Sequence, residues 1–250
     1  MEGPVAVVAL LTGLKLGAYG LIRFAVPLAP GAAQELSWLL VGLGVIGLLY
    51  GAVVALAQTN LRAMLAYASL SHVGLVLLGI AAFNLQGIQG AVMLLLNFTL
   101  VAGGLFLITG FLRQRIGSTD IAALGGAART MPVLAGFMMF LGLAGMGLPL
   151  TSGFPAEFLI LTATLKSYPG AGLAALFAMV LAAAYFLDLY RRAFFGPVTR
   201  DAVAHAGDLR PRELALMLLF AAIVLVLGLF PALVLDLIQP ACAAWTARVD

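Results

Sequence analysis

The feature that most limits the fold of this chain is a succession of long apolar runs with almost no charge inside them. A bilayer hydrocarbon core is about 30 Å thick, and an α-helix rising 1.5 Å per residue crosses it in about 20 residues. Runs of that length recur from one end of the 250 residues to the other. Within lipid every backbone donor and acceptor has to be satisfied inside the protein, so such runs fold as helices. The expected fold class is therefore an all-α integral membrane protein with nearly no aqueous domain. Composition points the same way. The chain is 64% hydrophobic and 9% charged, whereas a soluble domain is about 45–50% apolar and about 25% charged.

Seven spans fit the pattern in one membrane domain over residues 1–250, at about 4–28, 36–57, 62–83, 88–112, 132–165, 170–192 and 212–238. Pro27 and Pro30 close the first. Pro169-Gly170 separates the fifth from the sixth, and Gly196-Pro197 and Arg210-Pro211-Arg212 bracket one long loop. With loops on alternating sides, one side holds nine arginines: Arg62, Arg113, Arg115, Arg129, Arg191, Arg192, Arg200, Arg210 and Arg212. The other holds Arg23, Lys166 and Arg248. The positive-inside rule makes the richer side cytoplasmic, with the N-terminus inside and the C-terminus outside a cell inner (plasma) membrane. This asymmetry accounts for the basic pI of about 9.3 without a nucleic-acid partner. The first run has no basic lead-in or small-residue cleavage site, so no signal peptide is expected. Cys242 is the one cysteine, which excludes an intrachain disulfide or a cysteine metal site. No metal cluster, nucleophile triad, phosphate loop or dinucleotide fingerprint is present.

The fifth span is too long to be straight, since 34 residues reach roughly 50 Å. Its middle reads Gly145-Met146-Gly147-Leu148-Pro149-Leu150-Thr151-Ser152-Gly153-Phe154-Pro155. The prolines remove two backbone donors and the glycines tolerate an unwound path, so a broken helix is expected near 147–155. Irregular backbone at that depth survives only inside protein or beside a water-filled cavity, and broken midplane helices are a feature of transport sites. A simple proline kink in a packing helix is the plainer alternative.

Most charged residues lie in loops or at span ends, and three titratable groups stand apart: Lys15 midway along the first span, His72 midway along the third, and Glu157 just past the break. An ionisable group at mid-membrane costs roughly 2.5–3.5 kcal/mol on insertion scales, so it normally faces the bundle interior and marks an ion path. Lys15 is about 16 Å by helical rise from either end of its span, beyond the reach of snorkelling. Glu157 has an alternative as a first-turn acid placed for the helix dipole, and His72 as a neutral hydrogen-bonded core histidine. Burial disfavours the charged forms of lysine and glutamate, and histidine titrates near neutrality, so the three suit proton transfer. Asp188 is placed to pair with Arg191 or Arg192. Met138, Met139 and Met146 read as core.

Four stretches carry a family resemblance. They are Leu14-Lys15-Leu16-Gly17-Ala18-Tyr19-Gly20, the pair Gln58-Thr59-Asn60-Leu61-Arg62 and Ala68-Ser69-Leu70-Ser71-His72-Val73-Gly74, then Asn84-Leu85-Gln86-Gly87, and Gly147-Leu148-Pro149 with Ser152-Gly153-Phe154-Pro155-Ala156-Glu157. In this order they resemble the antiporter-like proton-pumping subunits of respiratory complex I, nearest to the M-type branch, within a superfamily that includes the Mrp antiporter D-type subunits. The resemblance covers nearly the whole chain and fades over the last dozen residues. It implies one five-helix repeat of the antiporter-like fold, flanked by one helix on each side. By match of motif it implies that Lys15 is the connecting lysine, His72 a histidine of the central hydrophilic axis, and Glu157 the acid of the second broken helix, at a proton exit.

There are departures. Where the family usually has a second axis histidine this chain has Phe98, between Asn97 and Thr99, which carries no proton although its neighbours can hold water. Asn60 stands for a usual aspartate, and a looser loop contact is expected there. Members of the family have about fourteen spans, so the resemblance is to a C-terminal half: a fragment, a split subunit or a degenerate copy.

The expected function is that of a proton-translocating membrane subunit of an NADH:quinone oxidoreductase-type complex, with a Lys/His/Glu relay and no redox chemistry of its own. No cofactor is expected in this chain. Quinone, FMN and iron–sulfur clusters belong to partner subunits. Expected partners are the lipid bilayer, other membrane subunits of the assembly and a separate first-half chain if the subunit is split. The competing readings are an Mrp-type sodium/proton antiporter subunit, a membrane scaffold without transport, and a small-solute transporter with its site at the break.

Overall fold

A computed structural model of the chain describes residues 15–198 and 200–249. Residues 1–14, the larger part of the first expected span, lie outside the described residues. Helix α1 occupies 15–28 and includes a π-helical stretch, Leu21–Ala25. A short α2, Pro30–Glu35, leads into α3, Ser37–Leu56, and then α4, Leu61–Ala81, and α5, Leu85–Ile116. Two single-turn helices, α6 (Ile121–Leu124) and α7 (Ala127–Thr130), precede α8, Pro132–Gly145. Next come α9, Gly153–Ser167, and α10, Pro169–Phe194. A four-residue α11, Asp201–Ala204, precedes α12, Pro211–Leu229, and α13, Ala232–Val249. Among the described residues there is no strand, only one bridge between Asn60 and Asp120.

Five of these helices (α3, α4, α5, α10 and α12) are long and apolar enough to cross a membrane, and a sixth span appears if α6–α7 and α8, bent by 114°, count as one. Large apolar side chains stand exposed along them, among them Trp38, Ile46, Leu173, Val180 and Leu218. An outer surface of this kind is suited to lipid. The fifth expected span is two half-helices. α8 has 14 residues and α9 has 15, each only about 21–22 Å long and so short of the core thickness. The expected helix over 212–238 is also divided. Pro231 has no N–H to donate, so α12 stops at Leu229 and α13 begins anew at Ala232.

Local signals set the ends. Asn84 Oδ1 accepts from Gly87 N at 2.8 Å and starts α5 three residues earlier than apolar patterning suggests. Gly117, at φ +80°, closes the same helix in the left-handed region. Asn60 Oδ1 accepts from Arg62 N and Ala63 N, capping α4. Its Nδ2 donates to Asp120 Oδ1 at 2.6 Å. The expected loosening at Asn60 is therefore not found, because the amide supplies a donor that an aspartate lacks and avoids a like charge beside Asp120.

Helices α3 and α4 touch backbone to backbone. A Cβ built on Gly74 would lie 2.5 Å from Leu48 N and 2.6 Å from Gly44 O, and Ser71 Oγ donates across the pair to Leu48 O at 2.9 Å. Small residues permit such an approach, and α4 also packs against α5 and α9. The long loop after α10 acts as a clamp. Arg115, in the last turn of α5, donates to the Glu213 carboxylate, to Gly207 O at 2.8 Å and to Asp208 O at 3.1 Å. Asp208 in turn accepts from Val133 N and Leu134 N, capping α8 from a distance. Asp188 pairs with both Arg191 and Arg192.

The backbone between α8 and α9 is held from outside by α12. Ser152 N donates to Val224 O at 3.1 Å. A Cβ on Gly228 would lie 2.3 Å from Leu150 O and 2.5 Å from Thr151 Cα. Gly228→Ala is thus expected to lower the melting temperature of the detergent-solubilised protein, by the equivalent of about 1–3 kcal/mol, the usual cost of overpacking. Gly136→Ala, where nothing lies within 4 Å of the added carbon, is expected to leave it unchanged or raise it. Equal melting of the two variants would contradict the clamp.

Candidate functional site

The break begins with a helix-terminating geometry. Gly147, at φ +69°, donates to Ala144 O at 3.4 Å, and Leu148 N donates back to Leu143 O at 3.1 Å. These are the two bonds of a Schellman cap, which satisfies two of the last carbonyls of α8 and leaves Gly145 O available. The path then passes through Leu150, a non-glycine residue at φ +76°. A left-handed residue of this kind costs on the order of 1–3 kcal/mol and persists where its surroundings over-determine it. The side-chain hydroxyls of the unwound segment are bonded inside the protein. Thr151 Oγ1 donates to Leu148 O at 2.6 Å, and Ser152 Oγ donates to Asn97 Oδ1, also at 2.6 Å. Thr151, Ser152 and Asn97 are all buried.

Two of the three titratable groups singled out from the sequence meet here. Glu157, in the second turn of α9, is 3% exposed, and its Oε1 lies 4.0 Å from Nε2 of His72 on α4. His72 faces two acceptors: Nδ1 is 2.8 Å from Ala68 O and Nε2 is 3.0 Å from Gly145 O, the free carbonyl at the end of α8. A neutral imidazole has one N–H to offer and an imidazolium has two, so the ring is placed where gaining or losing a proton changes its bonding by one hydrogen bond. The Glu157 carboxyl lies against Gly147: a Cβ there would sit 2.3 Å from Oε2. The glycine that caps α8 is therefore also the floor under the carboxyl.

Two small cavities meet at the histidine. One, of about 20 Å³, is lined by His72, Ser71, Gly145, Met146, Glu157 and Met179 among others. The second, of about 40 Å³, runs from His72 past Asn97 and Phe98 toward Met64 and Leu65 at the Arg62 end of α4, with Tyr185 on its wall. Since about 10–15 Å³ of such volume takes one water, the first has room for one and the second for two or three. A water in the first reaches both Glu157 and His72. Phe98 stands where the resemblance expects a histidine, its ring 6.1 Å from that of His72. Thr99 Oγ1 is tied to its own helix at Leu95 O. Of the two polar neighbours of Phe98, then, Asn97 lines the cavity.

Lys15 is not brought to this pair. It is part-buried in the first described turn of α1. Among the described residues it makes no hydrogen bond or ion pair with His72 or Glu157, and it lines neither cavity. No group of three or more metal-ligating side chains occurs among the described residues. Sequence reading offers Asn97 or Thr99 as a holder of water in the path, and misses Ser152 and Gly147 as parts of the site. The Ser152–Gly153 pair at the start of α9 was the available signal.

A family described as NADH:quinone oxidoreductase/Mrp antiporter, transmembrane, matches residues 1–182. The NADH-quinone oxidoreductase subunit M of Rhodobacter capsulatus is 39% identical over 241 residues, which are 96% of this chain and 47% of that protein. Its counterpart in Pseudomonas aeruginosa is 39% identical over 224 residues, 90% of this chain and 44% of that protein. The chain thus spans about half the length of the curated relatives it matches. Among solved structures, a chain of respiratory complex I from Thermus thermophilus superposes with a TM-score of 0.88 at 35% identity, over 94% of this chain and 50% of that one. A chain of the Mrp complex from Dietzia sp. DQ12-45-1b superposes at 0.77 with 23% identity, over 87% of this chain and 50% of that one, a likeness of fold.

The site geometry makes a direct prediction. Gly147→Ala forces a carbon into the place of Glu157 Oε2 at a left-handed position, so the carboxyl must move. The infrared carboxyl band that disappears in Glu157→Gln is expected to shift in Gly147→Ala. An unmoved band would mean that the carboxyl does not rest on Gly147.

Proposed function

The chain belongs to the NADH:quinone oxidoreductase/Mrp antiporter transmembrane family, and from that premise we propose that it is the C-terminal half of a proton-translocating membrane subunit of an NADH:quinone oxidoreductase-type complex. The observation that carries the reading is the meeting of His72 and Glu157, 4.0 Å apart, at the break between α8 and α9, with two hydratable cavities lined by His72. Paired ionisable groups inside the membrane next to unwound helix are the ordinary form of an ion path.

In this reading a proton enters from the Arg62 end of α4 along the larger cavity and reaches a ring nitrogen of His72. The opposite nitrogen passes its proton to Glu157, directly or through one water, and the carboxyl releases it toward the other face. Each transfer moves one proton between neighbouring acceptors and leaves the charge balanced. Lys15 would connect this path sideways to the half of the relatives that the chain does not cover, the role its motif implies. The Arg-rich side would be cytoplasmic, with the protein in the cell inner membrane. The partners would be the other membrane subunits of such an assembly, which would hold the quinone, FMN and iron–sulfur clusters.

The test uses the complete complex in inverted membrane vesicles. Glu157→Gln is expected to lower NADH-driven proton uptake by about 10²-fold, the lower range for loss of a positioned proton-transfer group, while subunit assembly measured by native electrophoresis is unchanged. Unaltered uptake would refute the relay and favour a scaffold. Proton flux that requires sodium and no NADH would favour the antiporter reading.

A further inference from the structure

We propose that the hydroxyl of Tyr185 is a second proton-passing group on the wall of the larger cavity, where Phe98 offers none. This rests on the relay reading above and deepens it.

Tyr185 lies on α10 and is 5% exposed. A buried phenol usually finds a hydrogen-bond partner. Tyr190, five residues further along the same helix, does so: its hydroxyl donates to Ala135 O at 3.1 Å. Tyr185 has no such bond among the described residues. Yet no fully enclosed side-chain oxygen or nitrogen among them lacks a partner. The hydroxyl of Tyr185 is therefore not fully enclosed, and Tyr185 lines the cavity shared with His72, Asn97 and Phe98.

The cavity supplies what water needs. Its volume of about 40 Å³ takes two or three molecules at roughly 10–15 Å³ each, and a buried water requires two to four polar partners. His72, Asn97 and Tyr185 furnish them around an otherwise apolar wall of Leu65, Val101 and Leu105. A phenol in a water chain passes a proton by exchange. Its oxygen takes a proton from one water as its own hydroxyl proton leaves to the next acceptor, so one O–H bond forms, one breaks, and the net charge of the side chain is unchanged. Asn97 cannot do this without becoming a different tautomer, and Phe98 cannot do it at all.

The alternative is a tyrosine that only fills the core. Three variants of the complete complex separate the two: Tyr185→Phe, Glu157→Gln, and Tyr185→Phe combined with Phe98→His. Tyr185→Phe keeps the ring and removes one oxygen. It is expected to lower NADH-driven proton uptake by about tenfold, less than a terminal acid or base, and to change the solvent deuterium isotope effect on uptake. The melting temperature is expected to stay that of the unaltered protein. Restoring an exchangeable group at 98 in that background is expected to recover most of the rate. Wild-type uptake and isotope effect in Tyr185→Phe, while Glu157→Gln is blocked, would overturn the tyrosine assignment and leave the relay standing. A loss that Phe98→His does not recover, accompanied by lower melting, would assign Tyr185 a structural role and overturn it equally. If Glu157→Gln is also unaffected, the relay itself fails and the tyrosine with it.

Discussion

The structure depends on one constraint: backbone polar groups in the bilayer core must be satisfied without help from lipid. Straight helices meet it automatically. The segment between α8 and α9 does not, and the rest of the bundle is arranged to meet it there. The Schellman bonds of Gly147 and Leu148 close one half-helix, the hydroxyls of Thr151 and Ser152 bond within the segment and to Asn97, and Ser152 N reaches Val224 O on α12. Gly228 removes the side chain that would keep α12 away. Asp208 supplies the missing cap at the far end of α8.

The same constraint creates the chemistry. A helix that stops inside the membrane has a last carbonyl without an intrahelical partner, and Gly145 O finds one in His72. The following residues must turn back, and the glycine that allows the turn leaves the floor on which Glu157 rests. In a water-poor interior such interactions are stronger than at a surface, so small changes in protonation have large consequences for bonding. The break is thus both a structural cost and the means by which an imidazole and a carboxyl are held 4.0 Å apart.

Much of this was legible. Pro149 and Pro155, with Gly145, Gly147 and Gly153, announced the break, because each removes a donor or tolerates an unwound backbone. His72 and Glu157 stood out because few ionisable groups lie within apolar runs. What stayed hidden depended on contacts between distant segments. Asn97 meets Ser152 across 55 residues, and Asp208 meets Val133 across 75, pairings that no local pattern encodes. The division of 212–238 was missed although Phe230-Pro231 sits in the run, since one proline in so apolar a stretch also fits a kink. Tyr185 was passed over because an aromatic on an apolar helix reads as core; its unpartnered hydroxyl is visible only once Tyr190 and its bond to Ala135 are compared.

The central claim is that His72 and Glu157 act as one relay and not as two separate polar residues. A double-mutant cycle on proton uptake tests it most directly, with His72→Gln, Glu157→Gln and both together in the complete complex. Groups that act as a unit are strongly non-additive. The account predicts that the double variant is no slower than the slower single variant. Losses that multiply, each residue contributing independently of the other, would contradict it.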